Sequence, residues 1–121
     1  MTVETFFEGK PETLELFQAI EKRITALGPA RMEVKSQISF SVERKFAWFW
    51  LYNVTKKNPS GVLHVMLAQG ERVDDPHVRD VSKVGQSRWN HQIVIPGMET
   101  ARSKWLGELL ERAHAYGSRL E

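Results

Sequence analysis

Cysteine is absent from the chain, which removes disulfides, thiolate nucleophiles and Cys-ligated metal centres at the outset. Long apolar runs are missing too: nothing approaches the roughly 20 residues needed to span a bilayer. The start, Met1-Thr2-Val3-Glu4-Thr5-Phe6-Phe7-Glu8-Gly9, carries acids where a leader would carry bases, so it does not read as a signal peptide. The expectation is a soluble cytoplasmic protein that makes no membrane contact. Charge of one sign is equally scarce. Lys and Arg number 17 against 15 Asp and Glu, a formal +2, too even a balance to require an acidic partner. No Gly-x-Ser-x-Gly elbow, no Gly-rich phosphate loop before a helix and no carboxylate pair tied to a strand end is present. No catalytic residue is therefore assigned.

What is present is an ordinary globular composition with many rings. Hydrophobic residues make up 41% and charged residues 26%, so 121 residues are enough for one domain, 1–121, with a core of its own. Four Trp and six Phe supply the apolar bulk, and three rings stand together in Trp48-Phe49-Trp50.

Thr2 to Glu8 reads as a short helical turn with Thr2 as N-cap, broken at Gly9. Pro11 then sits where a missing N–H costs least, in a first helical turn. Leu14, Phe17, Ile20, Ile24 and Leu27 recur at helical spacing until Gly28-Pro29 stops the helix. Met32, Val34, Ile38, Phe40 and Val42 alternate with polar residues, which predicts a half-buried strand with a break near Ser36. Glu43-Arg44-Lys45 suits a hairpin turn. Phe46 to Tyr52 is apolar on both faces and reads as a central strand. A turn at Lys56 to Gly61 leads into a strand over Val62 to Leu67.

A long polar loop follows, and loops of that length inside small domains are often functional. Asp74-Asp75-Pro76 has turn chemistry, and Asp80 would form a local ion pair with Arg79 or cap a helical turn over Val78 to Val81. The last strand runs from Arg88 to Ile95, with Trp89, His91, Ile93 and Ile95 on one side and Asn90, Gln92 and Val94 on the other. A closing helix from about Met98 to Tyr116 carries Leu106, Leu109, Leu110 and Ala113 as its stripe. The order predicts a two-layer α+β domain: an antiparallel sheet of four or five strands, with an N-terminal and a C-terminal helix packed on one face. Two helices cover one face only. The other, bearing Phe46, Trp48, Trp50 and Trp89, must meet another segment, a ligand or a second copy.

Lys35-Ser36-Gln37-Ile38-Ser39-Phe40, Phe46-Ala47, Asp74-Asp75-Pro76, Arg79-Asp80-Val81-Ser82, Val84-Gly85, Arg88-Trp89 with His91, and the helix end from Leu109 to Tyr116 resemble one uncharacterised bacterial domain family. That family is about a hundred residues long and is formally a domain of unknown function. It occurs alone and as a C-terminal module behind nuclease-like domains, and some of its longer chains are labelled predicted transport proteins. Here Gln86-Ser87-Arg88-Trp89-Asn90-His91 replaces the Gly-rich turn of many fused relatives. The resemblance implies a fold and a surface, and nothing catalytic.

His64, His77 and His91 with Asp74 and Asp75 offer metal-type atoms, but at no ligand spacing, so neither a metal nor a cofactor is expected. Bases beside stackable rings point instead to an anionic ligand with flat groups, a nucleotide or nucleic acid. The candidate ligand-binding residues are Lys35, Gln37, Trp48, Trp50, His64, Arg88, Trp89 and His91. Lys35 and Arg88 would supply charge, the Trp rings stacking, and His91 a pH-responsive hydrogen bond. Two alternatives stand beside this binding module. One is an enzyme acting on a small anionic substrate through the same cleft, and the other is a structural domain forming a homodimer.

Overall fold

The computed structural model describes residues 2–51 and 62–119. The expected turn at Lys56 to Gly61 lies outside the described residues. Helices α1 (Val3–Phe6) and α2 (Pro11–Leu27) lead into strands β1 (Arg31–Val34), β2 (Ile38–Ser41), β3 (Lys45–Trp50) and β4 (Leu63–Gln69). Strands β5 (Asp80–Lys83) and β6 (Trp89–Ile95) follow, then helices α3 (Met98–Ala101) and α4 (Lys104–Gly117). All strand pairs are antiparallel, in the order β1-β2-β3-β4-β6-β5. The α+β class and the antiparallel sheet agree with expectation, but among the described residues the sheet has six strands.

Thr2 caps α1 by accepting the Thr5 N–H at 3.1 Å. Pro11 opens α2, and Gly28 ends it with φ 152°, a conformation that favours glycine. The buried stripe of α2 is Thr13, Leu16, Phe17, Ile20 and Ile24, while Leu14 is half-buried and Leu27 exposed. Phe17 fixes which way the sheet faces. Its ring lies 6.1 Å from Phe40 on β2 and 5.2 Å from Phe49 on β3, with Phe7 closing the cluster at 5.3 Å. Burying each such ring contributes about 1.5–3 kcal/mol. Helix α4 packs over β3 and β4 and against α2. The helix-covered rows of the sheet are Ile38–Phe49–Val65–Ile93 and Phe40–Ala47–Leu67–His91–Val81.

The break expected near Ser36 is a tight turn that folds Met32 to Val42 into a hairpin: Val34 pairs with Ile38, and the Lys35 N–H donates to the Gln37 carbonyl at 3.0 Å. One expected continuity is broken. The closing helix is split at Arg102-Ser103. There the Ser103 hydroxyl donates to the Thr100 carbonyl at 2.7 Å, and Arg23 of α2 reaches the Ala101 carbonyl at 2.8 Å. These contacts satisfy carbonyls that would otherwise lack partners where a helix ends.

A second departure lies at Phe46. The β2–β3 register shifts, Phe40 pairing with Ala47 and Ser41 with Lys45, so Phe46 is an extra residue in a bulge. Alternation would place it beside Trp48. The bulge instead turns it onto the end of α4, 5.5 Å from His114 and fully buried. The turn before it holds the same helix end. The N–H groups of Glu43 and Arg44 donate to the Gly117 carbonyl at 2.8 and 3.1 Å, and Arg44 Nε donates to the Tyr116 carbonyl at 3.2 Å.

Gly117 is where helix and bulge touch: a Cβ there would stand 2.5 Å from Phe46 Cδ1. In an open helix, Gly→Ala gains about 0.5–1 kcal/mol. Here the sign reverses. Gly117→Ala is expected to lose about 1–3 kcal/mol through overpacking, read as a lower urea midpoint. Glu111→Ala, on the exposed face of the same helix, should stay within about 0.5 kcal/mol.

Candidate functional site

Alternation along β3 sends Ala47 and Phe49 towards the helices and Trp48 and Trp50 to the other face. That face carries three rows across the sheet: Ser39–Trp48–Met66–Gln92–Asp80, Trp50–His64–Val94, and Ala68–Asn90–Ser82. Trp48, Trp50, Met66, Gln92 and Val94 are half-buried, and neither α2 nor α4 lies over them.

Each Trp has a fixed neighbour. Arg88 Nε donates to the Asn90 side-chain oxygen at 3.1 Å, and its guanidinium carbon lies 5.2 Å from the Trp48 ring centre. Asn90 is buried, so the arginine is tethered at its base while its charge lies at the face of a ring. Trp50 stacks on His64, centroids 5.7 Å apart and planes inclined by 14°. Burial pushes the His64 pKa down, and the nearby charge of Arg79 adds to this, so the ring is neutral at pH 7.

The two ends of the sheet differ. Past Trp50, a cleft of about 550 Å³ opens between α1 and the β1–β2 hairpin, lined by Phe6, Trp50, Leu51, Lys35 and Gln37 among others. This volume lies within the usual range for small-ligand clefts. Lys35 stands 3.6 Å from Glu33, which Lys45 also reaches at 3.2 Å. The Lys45 hydrogen bond, then the Lys35 charge, hold the Glu33 carboxyl below its ordinary range. At the opposite end, on the helix-side face, Trp89 is flanked by Lys83 at 5.4 Å and Arg72 at 6.0 Å from its ring centre.

The long loop is more ordered than expected. Asp80–Lys83 forms an edge strand on β6, where Asp80 was expected either to pair with Arg79 or to cap a helical turn. Asp75 accepts the His77 N–H at 2.8 Å and contacts His77 Nδ1 at 2.7 Å, which lowers its pKa. His77 in turn stacks on Trp105 at 4.0 Å. His91 anchors the loop from within. Its Nε2 accepts the Val73 N–H at 3.0 Å, which requires the proton on Nδ1, placed to donate to the Leu67 carbonyl at 3.3 Å. The ring is fully buried, and burial is the first cause of its lowered pKa.

The eight candidate residues thus divide. Trp48, Trp50, His64 and Arg88 share the open face, and Lys35 and Gln37 join Trp50 at the cleft. Trp89 and His91 belong to the other side of β6. Met66, Asn90 and Gln92 enter the surface unanticipated, although strand alternation signals them. Lys83 counts among the bases that lie near the aromatic strands in sequence, but its edge strand is concealed in a polar loop, and Arg72 had no signal. Among the described residues no group of three His, Asp or Glu could hold a metal ion.

Residues 3–117 match the family described as Domain of unknown function (DUF5655). The chain belongs to this family. No curated protein and no solved structure matches it. In this DUF5655 chain the matched span takes in every described strand and helix, leaving out of the described residues only Thr2, Ser118 and Arg119.

The buried imidazole gives the DUF5655 domain a defined acid lability. A lowered native pKa means that the unfolded chain binds the proton first. Stability from His91 is therefore complete above the ordinary value of 6.5 and drains away as pH falls towards the lower native value. Urea midpoints between about pH 8 and pH 5 should fall with a slope of up to about 1.4 kcal/mol per pH unit from this group. His91→Gln is expected to flatten that slope; an unchanged slope would show that other groups carry it.

Proposed function

We propose that this DUF5655 chain is a small non-catalytic binding module. Its ligand lies on the open sheet face and carries flat rings and negative charge, as a nucleotide or single-stranded nucleic acid does. The reading is carried by one observation: two half-buried Trp rings, two residues apart on a central strand, with Arg88 tethered at the face of one and neutral His64 stacked on the other. A ring face accepts any base, and stacking contributes about 1–3 kcal/mol per base. Arg88 neutralises phosphate without leaving its ring. At the cleft, Lys35 offers a further cation, and Gln37 both a donor and an acceptor for the edge of a ring. Trp89 stands on the opposite face of β6, outside this surface, and His91 supports the surface from behind by tying down the loop.

Fluorescence anisotropy with labelled single-stranded DNA, RNA and nucleotides at low salt is the test. Trp48→Ala and Trp50→Ala are each expected to weaken binding by about 1–3 kcal/mol. Arg88→Ala should weaken it and lower the salt dependence, because one fewer phosphate is neutralised. The competing use of the same rings is self-association, which light scattering reads directly. A dimeric wild type that binds no oligonucleotide, with a monomeric Trp48→Ala variant, would replace this reading. Turnover of a small anionic substrate that depends on His64 would replace it with the enzymatic one.

A further inference from the structure

The cation–ring contacts gather at one end of the sheet. There β3 begins, β4 ends, β5 ends and β6 begins. Arg88 holds its guanidinium over Trp48 on the open face, while Lys83 and Arg72 flank Trp89 on the opposite face. Arg88 and Trp89 are consecutive residues at the start of β6, so the two stations lie on either side of a single strand end. Arg119 packs against Gly70 at the same end. Asp74 is engaged by Arg72 at 2.8 Å, and among the described residues neither Lys83 nor Arg88 has a carboxylate within ion-pair distance.

We infer that this end carries one single-stranded nucleic acid over the edge of the sheet, with one base stacked on Trp48, another on Trp89, and the intervening phosphates passing Arg88, Lys83 and Arg72. The inference rests on the proposed function and narrows its ligand. Two ring stations on opposite faces suit a ligand with several flat groups on a flexible anionic thread. A mononucleotide can occupy one station only. A duplex keeps its bases paired and cannot offer them to both rings. An acidic peptide brings charge without a regular supply of rings.

The experiment compares an oligothymidylate and an oligouridylate of about 10 nucleotides, within the roughly 4–16-nucleotide footprint of single-strand binders, with thymidine monophosphate and with inorganic polyphosphate. At least one oligonucleotide should bind more than about tenfold tighter than the monophosphate, as a second stacked base requires. Lys83→Ala and Arg72→Ala should each weaken the oligonucleotide and reduce the slope of log affinity against log salt by about 0.7. Trp89→Ala should weaken it about tenfold through the lost stack. Lys83→Ala and Arg72→Ala should leave the affinity for the monophosphate at Trp48 and Trp50 unchanged. Lys83 and Arg72 are exposed, so their variants test the path even if Trp89→Ala does not fold.

Equal binding of monophosphate and oligonucleotide overturns the inference. So does unchanged oligonucleotide affinity and salt slope in Lys83→Ala and Arg72→Ala, or polyphosphate binding as tightly as an oligonucleotide. In each case a loss of nucleotide affinity in Trp48→Ala leaves the broader reading standing. If neither nucleotide nor oligonucleotide binds at low salt, the broader reading fails, and the path with it.

Discussion

The packing of Phe17 against Phe40 and Phe49 determines nearly everything else about this domain. Strand β3 is apolar on both sides, and a chain with two long helices can cover only one of them. Once the Phe rings close on α2, strict alternation leaves Trp48 and Trp50 on the other side. The aromatic surface is therefore a by-product of core formation as much as a feature in its own right. Hydrophobic burial on one face sets the position of each ring on the other to within the pleat of a strand.

The polar parts of the surface depend on the same frame from a different direction. Arg88 can lie at Trp48 only because Asn90, buried on the same face of β6, holds its Nε. His91, the next residue, points the opposite way and spends both ring nitrogens on backbone. Neighbouring residues of one strand thus serve two tasks, one positioning a charge outside and the other fixing a loop inside. A group so deeply buried and fully bonded contributes organisation and not ligand contact.

Much of this was legible in the residues. The two-sided apolar run of β3, the period-two pattern of β6, the Thr2 cap, the Pro11 start and the Gly28 stop each follow from local chemistry, and the structure reproduces them. What was not legible has a physical cause in each case. Strand β5 is short, sits at an edge and has two charged residues among its four, so its sequence looks like loop. The break between α3 and α4 contains neither Pro nor a decisive Gly, and one of the carbonyls it frees is satisfied by Arg23, from a helix distant in sequence. The division of Trp89 and His91 from Trp48 could be read from alternation within each strand, but not which side the helices would take. Phe46 escaped because a bulge interrupts the periodicity on which that reading depends.

That bulge also governs how the chain can change length. A one-residue slip reverses every side chain of a strand. Deleting one residue between Ser41 and Ala47 would press the register of β3 to choose between restoring the pairing and exchanging Phe49 for Trp48 and Trp50 in the core. The turn over Lys35 to Gln37 lies at the other end of β2, away from α4, and carries no comparable constraint from the helix. Drift in loop length should therefore be asymmetric along this hairpin pair, free at the first turn and frozen at the second. Among divergent relatives, the segment from Ser41 to Ala47 would keep its spacing even where its residues differ.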